Sequence, residues 1–136
     1  MKLTITYPEI QDLIKQKAQK SIRLSALDSR TICISTDITL PWVGKKEVKV
    51  QLTINDINND YALLTYNNGL GVDLVITAFL KYIEMQTNIS YVQGLSDNRI
   101  KIHLNQITKL KNVLSKIVIQ NLSFTNENMV LYFVMK

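Results

Sequence analysis

The sequence predicts an α+β domain in which a curved antiparallel β-sheet wraps a central apolar helix. The sheet consists of a meander plus a C-terminal hairpin, and two further helices complete the fold. Three observations predict it. From Gly69 to Met85 the chain reads GLGVDLVITAFLKYIEM, where the polar residues Asp73, Thr77, Lys81 and Glu84 recur at helical spacing as one narrow stripe. Between Ser21 and Tyr66, apolar residues alternate with polar ones over long runs, the mark of strands with one buried and one wet face. The closing segment, Ile119–Phe124 and Met129–Met135 around Thr125-Asn126-Glu127-Asn128, reads as a hairpin. A helix apolar over most of its circumference needs cover on more than one side, so the sheet is expected to curl around residues 70–86.

Each element follows from local signals. Thr6-Tyr7-Pro8-Glu9 has the spacing of a capping box, with Ile5 and Ile10 placed as its hydrophobic staple, and predicts a helix over 7–19. Ile22 and Leu24 suggest a short strand, and Asp28-Ser29 a turn. Ile32, Ile34, Ile38 and Leu40 form one strand, broken by Pro41-Trp42-Val43-Gly44. Val48, Val50, Leu52 and Ile54 form the next. A polar turn at 55–60 leads into a strand at 61–66. After the central helix come a weak strand at 89–92, a loop at 93–98, a strand carrying Ile100 and Ile102, and a helix built on Ile107, Leu110, Val113, Leu114 and Ile117. No repeat or linker divides the 136 residues, so one domain is expected.

Leu40-Pro41-Trp42-Val43-Gly44 at a strand break and Gly69-Leu70-Gly71-Val72-Asp73 at the entry to an apolar helix sit within this order of elements. The pattern resembles bacterial members of the tubular lipid-binding superfamily, of which the YceB-like lipoproteins are small examples. The resemblance covers most of the chain. It implies a long curved sheet around a helix, with lipid held in the groove between them.

Composition narrows the chemistry. One cysteine, Cys33, excludes an intrachain disulfide and a cysteine metal cluster. The opening MKLTITYPEI contains no apolar run after a basic start, so a cytoplasmic location is expected, or an exported one if a leader has been removed. The central stretch carries three charges and falls short of the about 20 apolar residues of a membrane span, so no transmembrane segment is expected. The net charge of +5 resides in one segment: between Asp97 and Glu127 lie Arg99, Lys101, Lys109, Lys111 and Lys116 and no acidic residue. With His103, this set (Arg99, Lys101, His103, Lys109, Lys116) is the candidate contact for an anionic surface or partner. Nucleic acid is disfavoured, because the segment lacks interleaved aromatics and any helix-turn-helix or zinc pattern.

Other motifs are discounted. Gly69-Leu70-Gly71 lacks the third glycine of a dinucleotide loop, since that position is Leu74. Asp56, Asn58 and Asp60 open like a calcium loop, but the sixth position is Tyr61 and the twelfth Asn67. Cys33 and His103 would form a nucleophile and base only if their strands paired. Trp42 is expected to fold back over its strand, with insertion into a membrane interface as the alternative. The reading is therefore a non-catalytic binding module, with no cofactor and no metal. It shelters a lipid or other apolar small molecule against Leu74, Ala78, Phe79 and Ile83. The alternative is a structural or protein-interaction domain with a filled core and a basic contact face over residues 99–116.

Overall fold

The structure, a computed structural model, describes the backbone of residues 1–87 and 91–136, and their side chains except at 18, 82–87 and 109. The strands are β1 (Lys2–Thr6), β2 (Arg23–Asp28), β3 (Thr31–Leu40), β4 (Gly44–Ile57), β5 (Ala62–Tyr66), β6 (Val92–Leu95), β7 (Arg99–Ile102), β8 (Ile117–Phe124) and β9 (Asn128–Met135). The helices are α1 (Tyr7–Ala18), α2 (Val72–Thr87) and α3 (Thr108–Leu114), with a single 3₁₀ turn at Leu104–Gln106. Two antiparallel sheets form, one in the order β1–β9–β8 and one in the order β2–β3–β4–β5–β7–β6. The α+β class and the curved antiparallel sheet stand as the sequence predicts.

β1 is the element the sequence reading omits. Leu3 and Ile5 alternate with Lys2 and Thr4, and the strand pairs with β9 from Lys2↔Tyr132 to Thr6↔Asn128. It runs straight into α1, because Thr6 closes the capping box: its side chain accepts from the Glu9 amide, and the Glu9 carboxylate accepts from the Thr6 amide. The weak strand expected at 89–92 begins at Val92 and runs to Leu95, inside the expected loop; residues 89 and 90 lie outside the described ones.

Two clusters fill one face of the six-stranded sheet. In the first, Val72 and Ile76 of α2 pack on Val48, Val50, Val92 and Ile100. In the second, Tyr7, Ile32, Ile54 and Phe124 join α1, the large sheet and the β8–β9 hairpin. Leu52 and Leu64 flank both clusters and make the interior continuous. Each fully buried aliphatic side chain contributes about 1.5–3 kcal/mol. Polar ties reinforce the join. The Tyr7 hydroxyl donates to Thr125 O at 2.6 Å. Asn59, in the β4–β5 turn, donates to Leu114 O and Ile117 O and accepts from the Ile119 amide.

The enclosure of the central helix is smaller than expected. Val72 is 2% exposed, yet Leu74 is 56% and Phe79 47% exposed, and Ala78 is exposed beside them. The reason lies in the topology. α2 covers one half of the sheet face while α1 and the small sheet occupy the other half. No second layer therefore lies over the outer side of α2 among the described residues.

Two outcomes follow from this packing. Val72→Asp or Ile76→Asp should abolish cooperative unfolding, since a carboxylate there is buried without a partner. Leu74→Asp should shift the urea-derived stability by only about 0.5 kcal/mol, the range of exposed sites. The second outcome concerns Tyr7, whose phenol is pushed by burial above its ordinary value of 10.0. The folded chain then holds that proton more tightly than the unfolded chain. Stability should fall as pH rises through the unfolded value towards the folded one. Urea midpoints measured from about pH 9 to about pH 11 should decline less steeply in Tyr7→Phe than in the parent.

Candidate functional site

α2 presents the apolar residues that the sequence nominates, on the side away from the sheet. Val72, Ile76, Val75 and Leu80 turn inward, at the spacing of one helical face. Leu70, Leu74, Ala78 and Phe79 remain exposed, interleaved with the polar Asp73, Thr77 and Lys81. The expected pocket lining between sheet and helix is thus corrected for Leu74, Ala78 and Phe79, which are exposed: Leu74 and Ala78 on the side away from the sheet, and Phe79, about 140° round the helix from Leu74, at the edge of the packed face. The Ile83 side chain lies outside the described residues. Two concavities are present elsewhere. One of about 230 Å³ is bordered by Asn59, Asp60, Asn105, Lys111, Ser115 and Lys136, and the other by Thr6, Tyr7, Gln11, Leu24 and Glu127. Neither touches α2.

The basic set is spread over β7, the residue just after it and the α3–β8 region. Arg99 and Lys101 stand on the face of β7 opposite the buried Ile100, and each is locally engaged. The Arg99 guanidinium donates to Ser96 O, and the Lys101 ammonium sits 4.5 Å over the Tyr61 ring. His103 lies past the end of β7, half-buried, with its Nε2 at 3.3 Å from the Gln93 side-chain oxygen. Lys116 is exposed between α3 and β8, remote in topology from β7, and the side chain of Lys109 lies outside the described residues. Lys111, which belongs to the same segment, borders the smaller concavity.

Cys33 and His103 stay apart. β3 and β7 are separated by β4 and β5, three strand spacings or roughly 14 Å. Cys33 is 6% exposed, wedged in mid-strand between Ser25 and Gln51. The residues spaced like a calcium loop are engaged in a turn. Asn58 Oδ1 accepts from the amides of Asp60 and Tyr61, and the Tyr61 hydroxyl donates to Asp56.

Trp42 contradicts the expectation that it folds back. It is 104% exposed, at the tip of the β3–β4 hairpin. Pro41 occupies the second position of the turn, Trp42 the third with φ of 71°, and the Val43 amide bonds to Leu40 O. With proline second and a positive φ third, this is a type II turn, whose third position favours glycine.

Comparison with protein-family models, curated proteins and solved structures finds no match.

The site therefore consists of surfaces: the outer stripe of α2 and the Trp42 tip. No helix among the described residues is long and apolar enough to cross a membrane. Sequence periodicity could not reveal the α2 stripe, because it counts how many faces are apolar and not how many neighbours arrive to cover them. The burial of Cys33 has a direct check. Its modification by a thiol reagent should be slow in the native protein and rise to the free-thiol rate in urea.

Proposed function

We propose that this protein is a non-catalytic interaction domain that binds an apolar partner surface through the outer stripe of α2. The single observation that carries the reading is the exposure of Leu74 and Phe79, 56% and 47%, on a helix whose other side packs into the core. Large apolar side chains exposed on one helix in this way are costly to leave in water, and an exposed apolar patch is a common mark of contact surfaces. Leu74 and Ala78 are four residues apart on α2, so a partner meets them as neighbours on one side of the helix. Asp73, Thr77 and Lys81 lie within the same exposed face and would set orientation. An apolar small molecule or lipid would on this reading lie against the outside of the helix. Among the described residues, the two buried hydroxyl residues, Tyr7 and Thr31, are engaged with Thr125 O and the Thr53 hydroxyl, which favours gripping over bond-breaking chemistry.

The test combines an apolar fluorescent dye with sedimentation. The native protein should enhance the dye's fluorescence or self-associate reversibly at micromolar concentration. Leu74→Glu with Phe79→Glu should reduce that signal about tenfold while the circular dichroism spectrum stays unchanged. A native protein that neither binds the dye nor associates, or a double variant that behaves like the parent, would refute the reading.

A further inference from the structure

The β3–β4 hairpin extends well beyond the sheet that carries it. β2 pairs with β3 only as far as Ser35, and β5 pairs with β4 only from Leu52. Among the described residues, the five pairs from Thr36↔Val48 to Leu40↔Gly44 therefore have no strand on either side. At about 3.4 Å per residue this is an arm roughly 17 Å long. The start of α2 braces its base, where Gly71 lies against Ile38 and Val48. Leu40, the last residue of β3, is still buried, and only the turn beyond it stands in water: Pro41, Trp42 and Val43 are all exposed.

The turn is built at a conformational cost. A left-handed backbone is disfavoured for any residue with a Cβ, and the third position of a type II turn is the usual place for glycine. Here it holds the largest side chain in the alphabet, which gains no packing in return. Backbone strain without a structural return points towards function.

The charges beside the tip indicate the partner. From Pro41 to Lys46 there are two lysines and no carboxylate. The two carboxylates further down the arm are already met: Asp37 by Arg23 and Lys45, and Glu47 by Arg23 and Lys49. Among the described residues no carboxylate lies within ion-pair distance of Lys46. A protruding indole backed by lysines suits a surface that is apolar below and negative above. Tryptophan favours the level of lipid headgroups, and each lysine near an anionic leaflet adds electrostatic attraction.

We propose that the Trp42 arm docks this protein on the surface of an anionic lipid bilayer, with the indole at the headgroup level and Lys45 and Lys46 against lipid phosphates. The inference depends on the arm and is independent of the α2 stripe. Because Trp42 is the only tryptophan, its emission reports the contact directly. At low salt, vesicles containing phosphatidylglycerol should shift that emission to the blue and carry the protein down on centrifugation. Phosphatidylcholine vesicles should do so far less, and high salt should release the protein. Trp42→Gly should relieve the turn, leaving the thermal midpoint equal or higher, and yet reduce co-sedimentation by about tenfold or more. Lys45→Gln with Lys46→Gln should weaken it by a similar factor. Emission that stays that of a hydrated indole with anionic vesicles at low salt would overturn the proposal. So would equal binding to neutral vesicles, or a Trp42→Gly variant that co-sediments like the parent.

Discussion

The seating of α2 on the sheet depends on how closely the chain can approach at Gly71. A Cβ at this position would lie 2.7 Å from Val48 Cγ2 and 3.1 Å from Ile38 Cδ1, and the backbone there has φ of 83°. Both facts exclude an ordinary side chain. The residue that follows is Val72, and its burial with Val48, Val50 and Ile100 anchors the first cluster. Gly71 thus fixes the height and the entry angle of the helix. Four residues later the Val75 amide bonds back to Gly71 O, so the same residue opens the first helical turn.

That seating has two consequences. It commits only one face of α2 to the core, because a helix lying on a sheet meets it along one stripe. The opposite face is covered only if another layer arrives, and the β1–β9–β8 sheet packs over the other half of the large sheet, around Tyr7 and Phe124. It also braces the β3–β4 ribbon at Ile38 and Val48, just where neighbouring strands stop. A two-stranded ribbon is marginal alone in water. The apolar contact at Val48 and Ile38, together with the burial of Leu40, accounts for how the arm keeps its register out to Leu40↔Gly44.

Much of this fold was legible in the sequence, and the limits are physical. The capping box at Thr6 and Glu9, the alternation through β3 and β4 and the final hairpin all depend on neighbours in the chain, and all appear where their residues place them, whereas the polar turn read at 55–60 begins only at Asn58, because β4 runs on to Ile57. β1 was missed because Leu3 and Ile5 lead straight into a strong helix start and their partner strand, β9, lies at the far end of the chain. The degree of burial of α2 was overestimated for a different reason. Leu74, Ala78 and Phe79 are apolar, but apolarity states what a residue prefers and not whether the topology supplies cover. The basic segment shows the same limit. Arg99 and Lys116 are close in sequence to one another's elements, yet a 3₁₀ turn and a short helix carry the chain from one sheet to the other between them. Trp42 departs from local expectation most clearly, since its turn position favours glycine and its side chain finds no contact.

The half-buried helix is the claim on which the account stands, and paired cysteine substitutions test it most directly. Leu74→Cys and Ile76→Cys differ by two positions on one helix, against a background in which Cys33 is buried. Under native conditions, the cysteine at 74 should react with a thiol reagent at close to the rate of an unfolded chain, and the cysteine at 76 should be protected until the protein unfolds. Protection at both positions would mean that the helix is enclosed on all sides, and would contradict the account.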